Sequence, residues 1–376
     1  MTRNKPALTV SVSGREIPVN RPEPIVSDID VVPYDRSMNP GNAVDALVEG
    51  HVVLVVDVYS SGLTLLQELK SYLTNIHSNR TFIEQRNFRS DFHELSNRIV
   101  VEVSNNTLAV KKAPAIGWLN VLYPDMSEFL LPFPQVQGLN SSWQWYKKGV
   151  YVPVLNQKIN PYFGTYFPTR FEHLELFDDW LSRYQGERKS AIDIGVGSGV
   201  LSLQMLKHGF ESICGTDSNP NAIVGLNEEL KRKGVCSKIE LRYGDLFAGH
   251  STKTEFLVFN PPWLPASHYA DGIDKAIYYD EELFPRFFSE ALKRLDDGGR
   301  VVILFSNLAQ ITEVNKTHPI ETELAKGGRF EKETFIQRSV GKASKKTRRN
   351  QTWRNSEKVE LWVLKKSDNI KNTSAS

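Results

Sequence analysis

Asp193-Ile194-Gly195-Val196-Gly197-Ser198-Gly199 closes an apolar run that begins at Ala191, and the helix-forming stretch GVLSLQMLKHG follows at once. Glycines at this spacing let the chain turn sharply and let a ligand lie against the backbone with no Cβ in the way. A strand entering such a turn and leaving as a helix is how open parallel sheets place nucleotide-type ligands at their strand ends. The spacing is G-x-G-x-G preceded by an acid. A dinucleotide fold asks for G-x-G-x-x-G, and its third glycine would stand at position 200, which is Val200. Nicotinamide oxidoreduction is disfavoured on that residue. The remaining alternative, a glycine turn with no ligand, has to be weighed against what flanks it.

Outward from the loop, strands and helices alternate. On the N-terminal side FEHLELFDDWLSRY puts Phe171, Leu174, Phe177, Leu181 and Tyr184 on one helical face. On the C-terminal side come a strand, SICGTD, and the helix NPNAIVGLNEELKRKG, with Asn219 as N-cap, Pro220 in the first turn and Gly234 just past the end. Two strands follow, KIELRYG and EFLVFN. A helix comes next, which Pro285 is expected to break or restart before RFFSEALKRL, and then the strand VVILFS. ETFIQRSV and VELWVLKK, joined by a short polar segment, predict an antiparallel hairpin that closes the sheet. The fold class is α/β: a doubly wound, mostly parallel seven-stranded sheet over residues 160–366, preceded by a smaller α/β accessory domain.

Two acids sit where this sheet would use them. Asp217 ends the strand after the glycine loop, where a carboxylate can accept both ribose hydroxyls. Asp245, in YGDLF at the end of the third strand, is placed to receive an adenine amino group, with Leu246 and Phe247 to flank the ring. Either acid alone could be a strand-end cap. Both at the right strand ends favour the ligand reading.

At the end of the fourth strand stands Phe259-Asn260-Pro261-Pro262-Trp263. By itself N-P-P is a stiff turn. At this strand end it also suits a particular chemistry. The lone pair of an amide or aromatic amine is delocalised, so such a nitrogen is a poor nucleophile. The Asn260 amide oxygen and the Pro261 carbonyl can both accept its N–H groups, holding the nitrogen in line for attack and favouring pyramidalisation. Proline fixes the backbone that aims this carbonyl, and Trp263 offers a flat face for a planar target. No strong general base is needed, because the proton becomes acidic only once the nitrogen is quaternised.

Residues 160–366 resemble the class I S-adenosylmethionine-dependent methyltransferases. The N-P-P-aromatic element resembles the small-domain superfamily, which holds the amino-base and glutamine-amide N-methyltransferases. The resemblance implies that Asp193, Gly195, Gly197 and Gly199 cradle the methionine part of S-adenosyl-L-methionine. It further implies that Asp217 holds the ribose, that Asp245 and Leu246 hold the adenine, and that Asn260 borders cofactor and acceptor. INPYFGTYFPTRFEHLELF resembles the cofactor-covering element of these enzymes, with Tyr166, Phe167, Pro168 and Thr169 as its working residues. Asn260, Pro261, Pro262 and Trp263 would form the catalytic turn. Trp263 is a departure, since the glutamine-amide enzymes carry tyrosine there.

The implied acceptor is an exocyclic amine of a nucleic-acid base, RNA favoured. A protein glutamine amide or a small-molecule amine is the alternative, and a non-catalytic cofactor-binding scaffold is the alternative of another class. A decayed scaffold should have lost the glycines, the acids or the asparagine, and all are present. For nucleic acid, the stretch between Gly341 and Arg354 carries Lys342, Lys345, Lys346, Arg348, Arg349 and Arg354 with Trp353 interleaved and no acid. Basic residues with an aromatic are what single-strand binding uses; a solvated hairpin loop is the plainer reading. In the loop after Trp263, His268, Tyr269 and Tyr278 are candidates to touch the acceptor.

The whole chain sets few further limits. It has 376 residues, 40% hydrophobic and 24% charged, and 46 Lys+Arg against 44 Asp+Glu give a net charge of +2. Average charge therefore points to no partner, and any nucleic-acid contact must come from a local patch. The two cysteines, Cys214 and Cys236, have no companions at metal spacing, so neither a disulfide framework nor a metal site is expected. No apolar stretch follows the basic N-terminus, and no run approaches the roughly 20 residues of a membrane helix. A cytoplasmic protein without membrane contact is expected. Residues 1–45, with six prolines, read as an extended, partly disordered arm. Residues 46–155 read as the accessory domain, in which TLAVKK and AIGWLNVLY are expected strands, and 367–376 as a disordered tail.

Overall fold

The apolar strand that ends in Asp193-Ile194 lies near the middle of a seven-stranded sheet. The structure, a computed structural model, describes residues 8–77, 82–265, 278–312, 314–315, 317–341 and 356–368. Val19–Lys148 forms one unit, and Thr9–Pro18 with Gly149 onward forms the other.

In the second unit the elements are α1 (Glu172–Leu181), β1 (Ser190–Ile194), α2 (Val200–Lys207), β2 (Ser212–Asp217), α3 (Pro220–Lys233) and β3 (Ile239–Tyr243). They continue as β4 (Thr254–Phe259), α4 (Leu283–Arg294), β5 (Leu295–Ser306), β6 (Phe330–Ser339) and β7 (Lys358–Lys366). The sheet order is β3-β2-β1-β4-β5-β7-β6. The first five strands run parallel. β7 is antiparallel to both β5 and β6, which is the expected closing hairpin. The order reverses at β1, between β2 and β4, so ligands belong at the carboxyl ends of these strands.

Side-chain patterns explain the layers. β4 is buried at five of its six positions, as a parallel strand covered on both faces must be. On α4, Phe284, Phe287, Phe288 and Ala291 are buried, a one-faced helical stripe that packs with Phe305, Ile303 and Trp362. Each such aromatic removes enough apolar surface to contribute about 1.5–3 kcal/mol. On α1, Leu174, Phe177 and Leu181 are buried as the periodicity predicts.

The other unit is a five-stranded sheet in which Val31–Tyr34, Val52–Val55 and Ile99–Ser104 run parallel. Thr107–Leu108 and Glu128–Pro132 pair antiparallel with Ile99–Ser104. Helices Pro40–Val48, Tyr59–Ile76, Phe82–Ser96, Trp118–Leu122 and Phe133–Lys148 complete it.

Four expectations are corrected here. The N-terminal arm is not wholly extended. Thr9–Val12 and Arg15–Pro18 form a hairpin whose turn residues Ser13 and Gly14 both have positive φ (51° and 76°), the geometry a two-residue hairpin needs. This hairpin buries Val12 and Ile17 and packs on α3. Val31–Tyr34, also in the arm, is a sheet strand. AIGWLNVLY is helical at Trp118–Leu122, because Trp118, Leu119 and Leu122 fall on one buried face. Pro285 does not interrupt α4; it lies in the first turn, where the N–H has no helical partner to lose. Of the tail, Ser367 is still tied to Glu331 by a 2.9 Å hydrogen bond, and 369–376 lie outside the described residues.

Gly199 shows how tightly loop and helix are joined. Its φ is +79°, and an added Cβ would stand 2.3 Å from Leu226 Cδ1 on α3. Gly199→Ala is expected to cost about 2–4 kcal/mol from left-handed strain plus overpacking. Gly298→Ala, with nothing within 4 Å, serves as the control and should stay within about 0.5 kcal/mol. Denaturant midpoints of the two variants check this, and equal shifts would refute it.

Candidate functional site

Register brings the candidate residues to one level. Ile194 of β1 pairs with Thr216 of β2 on one side and Phe259 of β4 on the other. The next residue on each strand, Gly195, Asp217 and Asn260, therefore stands at the same carboxyl edge, with neighbouring strands about 4.8 Å apart.

The glycine loop turns through three left-handed residues, Gly195, Gly197 and Gly199 (φ 68°, 50° and 79°). Its shape is held by Val196 N–H to the Thr216 carbonyl (2.8 Å) and Gly199 N–H to the Val196 carbonyl (2.8 Å). Asp217 completes the cradle. Its Oδ2 accepts the Gly197 N–H and its Oδ1 the Asn219 N–H, each at 2.8 Å. Each oxygen keeps a further lone pair for another donor. Burial raises the Asp217 pKa, and the two N–H bonds oppose that shift.

Asp193 is fully buried beneath the loop. Its Oδ2 accepts the Ser202 hydroxyl at 2.6 Å, and its Oδ1 has no hydrogen-bond partner among the described residues. Burial pushes its pKa up to about 7, with the Ser202 bonds acting in the opposite direction.

Beyond β3 the chain makes a tight turn. Asp245 lies past the strand end, and Leu246 and Ala248 take positive φ (45° and 47°). The Thr216 hydroxyl donates to the Leu246 carbonyl at 2.5 Å, tying this turn to β2. The Asp245 carboxylate is paired with Arg286 of α4. Leu246 is buried at the turn. Phe247, expected beside it as a ring flank, is packed wholly in the core against Phe287, so that expectation is corrected.

At the end of β4 the Asn260 Oδ1 accepts the Trp263 indole N–H at 3.2 Å. Pro261 is buried, and Pro262 and Trp263 are partly so. His173, in the first turn of α1, meets the Trp263 ring edge to face at 5.5 Å and 89°. It is 3% exposed, and its Nδ1 has no partner among the described residues. Burial pushes its pKa down to about 4, so the ring is neutral near pH 7.

The covering segment is anchored from α3. Asn219 Nδ2 donates to the Gly164 carbonyl (2.7 Å) and Asn221 Nδ2 to the Phe163 carbonyl (2.8 Å). The Tyr166 carbonyl oxygen lies 3.5 Å from where a Cβ on Gly197 would stand. Phe167 is half-buried and Thr169 exposed.

Several candidates are not part of this picture. His268, Tyr269, Lys345, Lys346, Arg348 and Arg349 lie outside the described residues, as do Lys342, Trp353 and Arg354. Tyr278 is exposed in a two-residue strand paired with Leu264–Pro265. Among the described residues there is no group of three or more His, Cys, Asp or Glu able to hold a metal, and no helix is long and apolar enough to cross a membrane.

Comparison with known proteins bears on this geometry. The family profile described as methyltransferase small domain matches residues 180–331. A putative protein N5-glutamine methyltransferase of Methanocaldococcus jannaschii is 34% identical over 142 residues, 36% of this chain and 71% of that protein. The chain belongs to the methyltransferase small-domain family. The ribosomal protein L11 methyltransferase of Vibrio parahaemolyticus is 35% identical over only 63 residues, 17% of this chain and 21% of that one. The crystal structure of a ribosomal protein L11 methylase from Lactobacillus delbrueckii subsp. bulgaricus is 19% identical, covering 58% of this chain and 91% of that chain with a TM-score of 0.38.

The protein is thus an S-adenosylmethionine-dependent methyltransferase, and its residues fit that cofactor. At Gly195 and Gly197 an added Cβ would meet nothing closer than 3.5 Å, whereas Gly199 is closed against α3. Buried Asp193 has an acceptor oxygen without a partner among the described residues, and Asp217 has spare acceptor capacity at the next strand end.

Sequence reasoning missed Ser202, Thr216, His173 and Arg286. Only Ser202 had a local signal: a hydroxyl in the first turn after the glycines can reach back to the strand-end acid. The other three act across the fold.

The Asp193 environment gives a pH prediction. Its folded pKa, about 7, lies above the unfolded value near 3.9, so between these pH values the folded state binds more protons. Its contribution to stability is full below about pH 4 and is lost as pH rises through 7. The drop in melting temperature from pH 5 to pH 8 should be larger in the wild type than in Asp193→Asn. Equal drops would contradict the assignment.

Proposed function

We propose that the methyltransferase acts on a planar amino nitrogen, most specifically an exocyclic amine of a nucleic-acid base, with RNA favoured over DNA. The observation that carries the nitrogen is the place of Asn260. Its carboxamide stands at the same sheet edge as the glycine loop and Asp217, and its oxygen already accepts an N–H, from Trp263. An acceptor amine would take over that oxygen, with the Pro261 carbonyl as its second hydrogen-bond acceptor. Two acceptors on one nitrogen restrict its lone pair to the direction of the methyl-sulfonium. Trp263, released from Asn260, supplies the flat face against the acceptor ring.

In this reading Gly195 and Gly197 leave room for the methionine portion, Gly199 lets the same cradle close onto α3, Asp193 supports the loop from below, and Asp217 takes the ribose hydroxyls. Asp245 and Leu246 take the adenine, and Phe167 and Thr169 belong to the covering segment. His173 stays neutral and holds the indole in place by its edge contact.

Nucleic acid is supported by the basic, aromatic-containing stretch between Gly341 and Arg354, with Lys345, Lys346, Arg348 and Arg349 as phosphate contacts. A protein glutamine amide is the second reading, supported by the name of the Methanocaldococcus jannaschii relative. A small-molecule amine is the third.

The test is transfer of labelled methyl groups from S-adenosylmethionine into cell extract, followed by digestion. Label released by ribonuclease and recovered as an N-methylated nucleoside is the expected result. Label released only by protease would favour the glutamine amide. Label that survives both treatments and passes a size filter would identify a small molecule.

A further inference from the structure

The carboxylate assigned to the adenine is already engaged by another side chain. Asp245 stands in the turn after β3, and its Oδ2 is bonded by Nη1 of Arg286, one turn into α4. Both side chains are open to solvent, Asp245 at 61% and Arg286 at 43%. An ion pair this exposed contributes little to folding. Its consequence is geometric, because both ends are anchored in the core. α4 is held by buried Phe284, Phe287 and Phe288, and the turn is held by the Thr216 hydroxyl on the Leu246 carbonyl. The guanidinium therefore restrains the carboxylate through Oδ2 and leaves Oδ1 as the oxygen with its full acceptor capacity.

We infer that Arg286 is a specificity-determining residue of the cofactor site, holding Asp245 as a one-sided acceptor that selects a 6-amino purine over a 6-keto purine. A guanidinium offers only donors, so what it holds in place at Asp245 is an acceptor. A ligand edge carrying N–H matches Oδ1. A keto oxygen at the same place faces it lone pair to lone pair. This inference rests on the reading of Asp245 as the adenine acceptor.

Calorimetric binding of S-adenosylhomocysteine and of its 6-keto analogue S-inosylhomocysteine to the full chain tests it. The wild type is expected to prefer the adenosyl ligand by roughly ten- to a hundredfold, the range of one hydrogen bond to a charged group. Arg286→Ala should reduce that preference at least severalfold by weakening the adenosyl ligand alone, with its melting temperature unchanged. Arg286→Lys should recover part of it. Retained preference in Arg286→Ala, or equal weakening of both ligands, would overturn the role of Arg286. A wild type that binds both ligands equally would overturn Asp245 as the adenine acceptor, and one that binds neither would overturn the cofactor site itself.

Discussion

The Asp217 carboxylate holds two backbone N–H groups at once, Gly197 from the loop after β1 and Asn219 from the start of α3. The rest of the site depends on that pair of hydrogen bonds joining two loops to one side chain. It locks the left-handed glycine turn against the adjacent strand end. It also fixes where α3 begins, and from there Asn219 and Asn221 hold the carbonyls of Gly164 and Phe163 in the covering segment. A carboxylate suits this place because both its oxygens only accept, and because it sits at a helix N-terminus where negative charge is favoured.

In the proposed reading the site divides around that point into a cofactor side and an acceptor side. On the cofactor side the polar groups are fixed by the fold before any ligand arrives. Thr216 ties the Leu246 turn to β2, and Ser202 holds one oxygen of buried Asp193. On the acceptor side the groups hold one another. Trp263 donates to Asn260 and rests against the edge of a neutral His173, so the amide oxygen has a donor that an acceptor amine would displace.

Much of this was legible in the sequence, and the reason is locality. Strand-helix alternation, the glycine spacing, strand-end acids and Asn260-Pro261-Pro262-Trp263 are patterns within a few residues, and alternation with right-handed crossovers leads to a doubly wound sheet. What stayed hidden depends on tertiary partners or on a competing local cue. SVSGREI is a hairpin signal, alternating residues around Ser13-Gly14, but the surrounding prolines outweigh it in a composition reading. AIGWLNVLY is a short apolar run whose period cannot separate strand from helix. Phe247 turns into the core because α4 presents Phe287 there, and Asp245 meets Arg286 from 41 residues further along the chain. His173 reads as one residue of an amphipathic helix until Trp263 is placed beside it.

The account is tested most directly by comparing cofactor affinity and methyl transfer in Asn260→Ala, with the acceptor fraction labelled by the wild type as substrate. Removing one preorganised acceptor from the reacting nitrogen should lower transfer by about a hundredfold or more, while affinity for S-adenosylhomocysteine stays within a few-fold of wild type. Undiminished transfer by Asn260→Ala would contradict methyl transfer to a nitrogen held by that amide.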